Sequence, residues 1–148
     1  MYQSVDSAVP GATDGMAERL RAAGLRPTRQ RVALGRILFA RGHRHISAEE
    51  LHDEAGDRGV RVSLATIYNT LHQFTEAGLL RQVTIDATRT YFDTNVGDHH
   101  HFFVEGENRL IDFEGEVDVA RLPEPPEGME ITAVEVVVRV RHDRGRLR

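Results

Sequence analysis

The sequence predicts an α+β fold, in which a helical N-terminal domain ends in a β-hairpin and is followed by a small α/β domain. Three observations support this prediction. Apolar residues recur at helical spacing in the first half of the chain, and the spacing changes to strand-like alternation after Gly78. A polar stretch over 93–98 then separates two segments of different charge. The predicted domains are residues 1–92 and 99–148, with a hinge over 93–98.

Four helices are predicted before Gly78, each bounded by residues that commonly begin or end helices. A short helix over 14–23 ends at Gly24, and Thr28 is the N-cap of a helix over 28–41. Ser47 and Glu50 form a capping box for a third helix, over 47–56. Ser63 caps a fourth helix, over 63–77. In this fourth helix the predicted buried stripe is Leu64, Ile67, Leu71 and Phe74, and the outward positions are Ala65, Thr66, Asn69, Thr70 and Gln73.

Strands are predicted on both sides of the polar stretch. Residues 80–85 and 90–92 form a β-hairpin, and helices followed by a hairpin are the element order of a winged helix-turn-helix domain. Beyond the polar stretch, residues 101–105 and 108–112 are predicted to pair. One or two helical turns follow over 116–122, and a last strand covers 131–141, where valines alternate.

Composition excludes several kinds of chemistry. The chain has no cysteine, so disulfides, thiolate zinc sites and cysteine nucleophiles are excluded, and eight histidines are left as nitrogen ligands. We expect a cytoplasmic protein with no membrane partner, because the sequence contains neither a signal-peptide pattern nor an apolar run of membrane-spanning length.

Charge is distributed unevenly along the chain. Residues 1–92 carry 12 arginines against 10 acidic residues, whereas residues 93–148 carry 7 arginines against 13 acidic residues. From Arg19 to Arg44 there are eight arginines and no acidic residue. The N-terminal domain is therefore the candidate for binding a polyanion.

The fourth helix has the surface that insertion into the DNA major groove requires. Its outward side chains are small or carry amides, so the helix backbone can approach base edges. Tyr68 and Asn69 are the candidates for base contact, while Ser63 and Thr66 can hold phosphate at the helix N-terminus. A helix-turn-helix that docks onto protein is the alternative from the residues alone. The predicted DNA-binding residues are Arg26, Arg29, Arg31, Ser63, Ala65, Thr66, Tyr68 and Asn69.

Residues 98–101, Asp-His-His-His, are the segment richest in metal ligands. In an extended chain His99 and His101 share one face, while Asp98 and His100 face the other side. Two imidazoles need further donors, and a nitrogen and carboxylate set suits Fe(II), Mn(II), Zn(II) or Co(II). Such a site would join the two domains, so its occupancy would set the angle between them; an exposed histidine run with incidental metal affinity is the alternative. The further donors are His45, Asp93 and Asp112.

Four segments together resemble the ferric uptake regulator family from about Leu20 to Arg141. They are AGLRPT at 23–28 with Arg31, HISAEEL at 45–51, SLATIYNTL at 63–71, and the three histidines at 99–101. The resemblance implies a winged-helix domain joined to an α/β dimerisation domain, and a homodimer that binds palindromic double-stranded operator DNA. It also implies a regulatory metal site at the positions of His45, Asp93, His99 and His101, with Asp112 matching a fifth ligand in some branches.

Within the family, residues 99–108 look like the iron response regulator branch. This resemblance implies a regulator of haem biosynthesis and iron homeostasis genes that responds to iron and haem, with His99, His100 and His101 involved in haem binding. Asp98 and His100 are what remains of a second metal site. No structural zinc held by four cysteines is expected, because Val104 and Glu107 occupy positions where the family often has cysteines. A Cys-Pro haem motif found in some members is also absent.

Three other functions are consistent with the same residues. A peroxide-sensing Fe(II) or Mn(II) repressor of the same family would use the same nitrogen and carboxylate ligands. A mononuclear metalloenzyme would use two histidines and a carboxylate, but the sequence has no general base at the spacing of a catalytic motif, so we expect no enzyme. A winged helix that stores metal or docks onto protein is the third.

Overall fold

The computed structural model describes residues 15–97, 99–113 and 115–145. The chain divides into two compact units, an N-terminal unit that ends at Val96 and a C-terminal unit that begins at Gly97. Helices and small sheets occur together, which confirms the predicted α+β fold. Two predicted positions lie outside the described residues, namely Asp14 at the start of the first helix and Asp98 beside the histidine run.

The N-terminal unit contains four helices, α1 (Met16–Ala22), α2 (Arg29–Phe39), α3 (Ala48–Asp57) and α4 (Leu64–Glu76). Each predicted N-cap is formed. The Thr28 hydroxyl accepts the N–H of Arg31 at 3.3 Å, and the Ser63 hydroxyl accepts the N–H of Thr66 at 3.1 Å. Ser47 and Glu50 form both hydrogen bonds of the capping box. These side chains satisfy backbone N–H groups that have no partner in the first turn of a helix. None of the helices in the described ranges has the length and hydropathy of a membrane span.

The four helices enclose one apolar core. The predicted buried stripe on α4 is confirmed at Ile67, Leu71 and Phe74. Two positions of this helix were predicted wrongly: Leu64, expected to be buried, is 37% exposed, and Thr70, expected to face outward, is 4% exposed. A helical side chain covers the turn before its own Cα, and Leu64 is the first residue of α4. Thr70 lies three residues after Ile67 and four before Phe74, which places it on the buried face. The largest fully buried apolar residues of this core are Leu20, Leu34, Leu38, Ile46, Leu51, Ile67, Leu71, Phe74 and Phe92.

A three-stranded antiparallel sheet completes the N-terminal unit. Its strands are β1 (His45–Ile46), β2 (Arg81–Asp86) and β3 (Arg89–Asp93), in the order β1-β3-β2. The predicted hairpin is β2 and β3, and β1 was not predicted. Asp93, which the sequence placed at the start of the hinge, is the last residue of β3 and pairs with His45 in the ladder. Helices packed against a hairpin form the predicted winged-helix arrangement.

Arg44 holds β1 against two neighbouring elements. Its guanidinium forms a bidentate ion pair with Glu54 of α3, with N–O distances of 3.0 and 2.5 Å. Its backbone N–H donates to the Thr94 hydroxyl at 2.9 Å, and its carbonyl accepts the Thr94 N–H at 3.0 Å. These contacts position His45, which follows directly in the chain.

Replacing Glu54 with glutamine should lower the free energy of unfolding at neutral pH by up to about 1 kcal/mol, because the ion pair is partly solvent-screened. The hydrogen bond from Arg44 lowers the pKa of the Glu54 carboxyl. Its contribution is therefore present above the unfolded-state pKa of about 4.3 and is lost as the pH falls through the lower folded-state pKa. Urea unfolding should show the two proteins differing near neutral pH and converging once the pH falls below the folded-state pKa of Glu54. A difference that persists in acid, or an equal loss in the control Glu76→Gln, would contradict this assignment.

The C-terminal unit is built on a second three-stranded sheet. Its strands are β4 (His100–Val104), β5 (Arg109–Phe113) and β6 (Val137–Val140), in the order β5-β4-β6. β4 pairs antiparallel with β5, as predicted, and parallel with β6. Phe103, Val104 and Leu110 are its buried apolar residues.

Two predictions for the C-terminal unit are wrong. Residues 116–122 form no helical turn, and the strand predicted over 131–141 covers only 137–140. The shorter strand has a simple reason, because β6 pairs with β4 in the register His101 to Val137 and β4 begins at His100. Residues before about 136 therefore have no regular strand of this sheet to pair with.

Candidate metal and DNA-binding sites

In the N-terminal unit, a histidine and a carboxylate face each other across two paired strands. The Nε2 atom of His45 lies 3.2 Å from Oδ2 of Asp93. Asp93 is fully buried, and its Oδ1 accepts the backbone N–H of Asn95 at 2.8 Å. A buried carboxylate is costly unless it is paired, so a polar partner or a cation is required at this position. We call His45 and Asp93 the N-terminal donor pair.

In the C-terminal unit, two histidines share one carboxylate oxygen. Oδ1 of Asp112 lies 3.4 Å from Nε2 of His99 and 3.2 Å from Nε2 of His101. The three ligand atoms lie within 4.8 Å of one another, and the imidazole centroids are 4.5 Å apart. Asp112 is the ladder partner of His101 on β5, so the antiparallel pairing brings these two side chains together. We call His99, His101 and Asp112 the C-terminal donor triad.

The hydrogen bond of the His99 ring leaves its other nitrogen available to a cation in the C-terminal donor triad. Its Nδ1 lies 2.7 Å from the Gly97 carbonyl oxygen, which can only accept, so Nδ1 carries the proton. In a neutral imidazole the lone pair of Nε2 then points at the Asp112 carboxylate. A positive charge between these two atoms, from a proton or a metal ion, removes the repulsion. In metal sites it is common for one ring nitrogen of a histidine to donate a hydrogen bond to a carbonyl group while the other nitrogen binds the metal.

The distances in both clusters fit a divalent cation. Two ligand atoms that are each about 2.1 Å from an ion, at tetrahedral or octahedral angles, lie roughly 3.0–3.4 Å apart. The separations are 3.2 Å in the N-terminal donor pair and 3.2 and 3.4 Å in the C-terminal donor triad. Imidazole and carboxylate donors without sulfur suit Fe(II), Mn(II), Zn(II) and Co(II).

His100 and Glu107 have other partners. The Nδ1 atom of His100 accepts the backbone N–H of Val136 at 3.2 Å, and its ring lies 5.9 Å from that of Phe113. Glu107, at a position where the resembled family often has a zinc-binding cysteine, contacts His142 and also pairs with Arg109 at 3.3 Å. Asp98, predicted with His100 as part of a second site, lies outside the described residues.

Helix α4 presents the predicted DNA-contacting residues at its N-terminal end. Ser63, Ala65 and Asn69 are exposed, and Thr66 and Tyr68 are half-buried. The Ser63 hydroxyl already caps the helix and also lies 3.0 Å from the Thr66 hydroxyl. These two hydroxyls take part in the cap, whereas Leu64, Ala65 and Asn69 are exposed near the start of the helix and do not.

The three predicted arginines differ in their surroundings. Arg26 and Arg29 are exposed. Arg31 is half-buried, and its guanidinium donates to the Gln73 side-chain oxygen at 3.1 and 3.3 Å and to the Arg26 carbonyl at 2.9 Å. It thus links α2 to α4 and to the turn before α2, a structural role that the sequence did not predict.

Glu49 is the residue near this surface that the sequence analysis missed. Its Oε1 accepts the hydrogen bond of the Tyr68 hydroxyl at 2.7 Å. The sequence shows Glu49 beside Glu50, whose carboxylate completes the capping box. Glu49 is the acidic residue of this pair that the cap does not use, and this was the signal from which another contact could have been predicted.

The chain is similar to known proteins along most of its length. The ferric uptake regulator family model matches residues 22–139. The peroxide-responsive repressor PerR of Staphylococcus epidermidis is 35% identical over 94 residues, which are 64% of this chain and 62% of that protein. PerR of Staphylococcus aureus is 35% identical over 95 residues, or 64% of each chain. The chain thus spans just under two thirds of the length of these curated relatives.

Solved structures show the same fold across both units. The ferric uptake regulator of Pseudomonas aeruginosa with manganese has a TM-score of 0.65 and 29% identity, covering 86% of this chain and 97% of that one. The ferric uptake regulator of Vibrio cholerae has a TM-score of 0.68 and 25% identity, covering 85% and 98%. The chain therefore belongs to the ferric uptake regulator family, whose members are transcription regulators and not enzymes.

Proposed function

We propose that this protein is a cytoplasmic, homodimeric transcription repressor whose binding to palindromic operator DNA depends on a divalent metal ion. The observation that carries the proposal is the presence of one histidine and carboxylate cluster in each unit, with donor separations that fit an ion. Each cluster alone offers two or three protein ligand atoms, and water would have to complete the coordination of Fe(II), Mn(II) or Zn(II) there. We propose instead that one ion takes ligands from both clusters, because only a shared ion can make metal binding affect the arrangement of the two units.

The proposed ligands are the N-terminal donor pair, His45 and Asp93, and the C-terminal donor triad, His99, His101 and Asp112. When bound, the ion supplies positive charge that compensates the two carboxylates and makes one arrangement of the two units more favourable than others. The backbone contacts of Arg44 with Thr94 and its ion pair with Glu54 hold His45 in place for this role. Metal binding changes DNA affinity only if the ion favours one arrangement of the units, which is the requirement for allosteric coupling.

For the DNA contact we propose helix α4 together with the arginines before α2. Ala65 and Asn69 are exposed near the start of α4, and Arg26 and Arg29 are exposed and have guanidinium groups that suit phosphate. The surplus of arginine in residues 1–92 adds a sequence-independent attraction to DNA.

The homodimer is supported by apolar surface in the C-terminal unit. From Gly115 to Glu135 every described residue other than Val117 is exposed. Several exposed large apolar side chains in one unit are typical of a protein interface, and a second copy of the chain is the partner that the family implies. The exposed large apolar residues of this unit are Ile111, Val119, Leu122, Met129, Ile131, Val134 and Val138.

A duplex-binding titration tests the proposal. Duplexes are first selected from a random library by the Mn(II)-loaded protein, and the affinity of the selected duplex is then measured by fluorescence anisotropy with and without Mn(II). We expect the metal-free protein to bind at least about tenfold more weakly, within the usual range of allosteric coupling. We also expect affinity to fall steeply with salt. Failure to enrich any duplex, or equal affinity with and without metal, would contradict the proposed function.

The physiological signal is proposed to be iron. The resemblance of residues 99–108 to the iron response regulator branch supports control of haem biosynthesis and iron homeostasis genes, with haem as a further ligand. A second candidate is peroxide sensing, which is favoured by the similarity to peroxide-responsive repressors. The same titration separates the two. Haem added to the metal-free protein should lower its affinity for the duplex in the first case, whereas peroxide should release only the Fe(II)-loaded protein in the second. A metalloenzyme is disfavoured by the function of the family.

A further inference from the structure

Three contacts restrain the side chain of Tyr68, one of the two residues of α4 predicted to contact DNA bases. Its hydroxyl donates a hydrogen bond of 2.7 Å to Glu49 on α3. Its ring is half-buried and packs against the apolar core. One turn further along α4, the ring of His72 is stacked on it, with centroids 6.4 Å apart and planes at 25°. The ring of Tyr68 is therefore held from its hydroxyl end, from the core and from the adjacent turn.

Glu49 has no role in helix capping that would explain its position. The capping box of α3 is formed by Ser47 and Glu50, and Glu49 lies on the same first turn with its carboxylate at the Tyr68 hydroxyl. A carboxylate beside a DNA-reading helix repels phosphate and so weakens non-specific binding. A negative charge at this position is consistent with a gain in specificity at the expense of general affinity.

The hydrogen bond also decides which part of Tyr68 can meet a base. A phenol has one proton to donate, and here it is given to Glu49. This bond also raises the pKa of the Tyr68 hydroxyl. With the proton engaged, the hydroxyl can no longer donate to a base acceptor, and the ring carbons offer an apolar surface that matches the methyl group of thymine in the major groove.

We propose that Glu49 is a positioning residue, which holds the ring of Tyr68 in the orientation that reads a thymine methyl group in the operator. This inference rests on the proposed DNA-binding function and adds a specificity determinant to it. A side chain that is pre-ordered in the free protein loses less conformational entropy when it binds, so the methyl contact contributes more fully to discrimination.

Uracil substitution in the operator tests the inference, because uracil lacks only the methyl group of thymine. The probe is the duplex selected with the Mn(II)-loaded protein, in its thymine form and with each thymine replaced in turn by uracil. The wild-type protein should lose about fourfold in affinity at one half-site position, the value for one buried methyl group. Glu49→Ala should bind both forms equally at that position. Glu49→Gln keeps an acceptor for the Tyr68 hydroxyl and should restore the discrimination.

Two further variants separate positioning from charge. Asp53→Ala removes an acidic residue one turn further along α3, so it should preserve the preference for thymine whatever it does to overall affinity. Tyr68→Phe keeps the ring but removes the hydrogen bond, so it should lose discrimination as Glu49→Ala does, and the double variant should show no additional loss. Circular dichroism checks that each variant is folded.

The outcomes are distinguishable from failure of the proposed function. If metal-dependent duplex binding persists but Glu49→Ala keeps the preference for thymine, or Glu49→Gln fails to restore it, the positioning role is wrong. A wild-type protein that binds the duplex and is indifferent to every uracil substitution would also overturn the inference. Absence of duplex binding by the wild type would overturn the proposed function as well.

Discussion

Replacing His101 with alanine should lower the affinity of the protein for Mn(II) by about a hundredfold or more and abolish the effect of Mn(II) on DNA binding. His101 is 3% exposed and lies on the central strand of its sheet, with its Nε2 3.2 Å from Oδ1 of Asp112, so its loss leaves the C-terminal donor triad with one imidazole. Loss of residues that merely orient metal ligands costs about 10 to 100-fold in affinity, and loss of a ligand itself should cost at least as much. Competition with a fluorescent chelator measures the affinity.

His142→Ala is the matched control. It makes the same change at an exposed histidine that pairs with Glu107, outside both the donor pair and the donor triad, and should leave Mn(II) affinity unchanged. A His101→Ala protein with ordinary affinity for Mn(II) would show that the donor triad is not the regulatory site.

If one ion binds both clusters, a substitution in the N-terminal donor pair should also affect Mn(II) binding. His45→Ala should weaken Mn(II) binding as well, and the wild-type protein should take up one ion per subunit at the regulatory site. If the protein instead binds two ions, and His45→Ala and His101→Ala each remove a different one, the two clusters are independent sites. In that case metal binding would not link the two units, and a different cause of metal-dependent DNA binding would be needed.

Replacing Phe74 with alanine should destabilise the N-terminal unit by about 3–5 kcal/mol, the largest effect on stability that we expect from a single core substitution. Phe74 is fully buried among the helices, and a cavity at its position removes both transfer free energy and contacts. Urea unfolding followed by circular dichroism measures the change in the free energy of unfolding.

Phe39→Ala is the comparison, because Phe39 is only half-buried and its ring is covered by the Arg19 guanidinium at 3.9 Å. It should cost less than Phe74→Ala. Equal losses at the two positions would mean that the packing around Phe74 relaxes to fill the cavity, contrary to a well-packed core.

Local features of this fold were predictable because they depend on residues close together in the chain. The caps at Thr28, Ser47 and Ser63 each join groups three residues apart, and the structure forms all of them. The β2–β3 and β4–β5 pairs follow from alternating side chains and short turns. The length of the last strand was overestimated because alternating valines also occur before residue 137, where the sheet has no neighbouring strand to pair with them.

Other features depend on partners that are distant in sequence. The Arg31 guanidinium donates to Gln73, 42 residues away, a contact that the sequence did not predict. Glu49 meets Tyr68 over 19 residues, and Arg44 meets Thr94 over 50. Strand β1 has two residues and no periodicity to detect, and it exists because β3 pairs with it.

By itself the sequence determined the kinds of residue available to this protein: caps that begin three of its helices, a histidine run with carboxylates before and after it, and no cysteine that could serve as a thiolate ligand. The tertiary structure alone decided which of these residues meet, because strand register places Asp112 opposite His101 and Asp93 opposite His45. Helix packing likewise turned an acidic side chain of α3 toward the tyrosine of α4. Secondary structure follows local steric and hydrogen-bonding preferences, whereas a metal or DNA site requires side chains from separate elements to converge, and that convergence is a property of the folded chain.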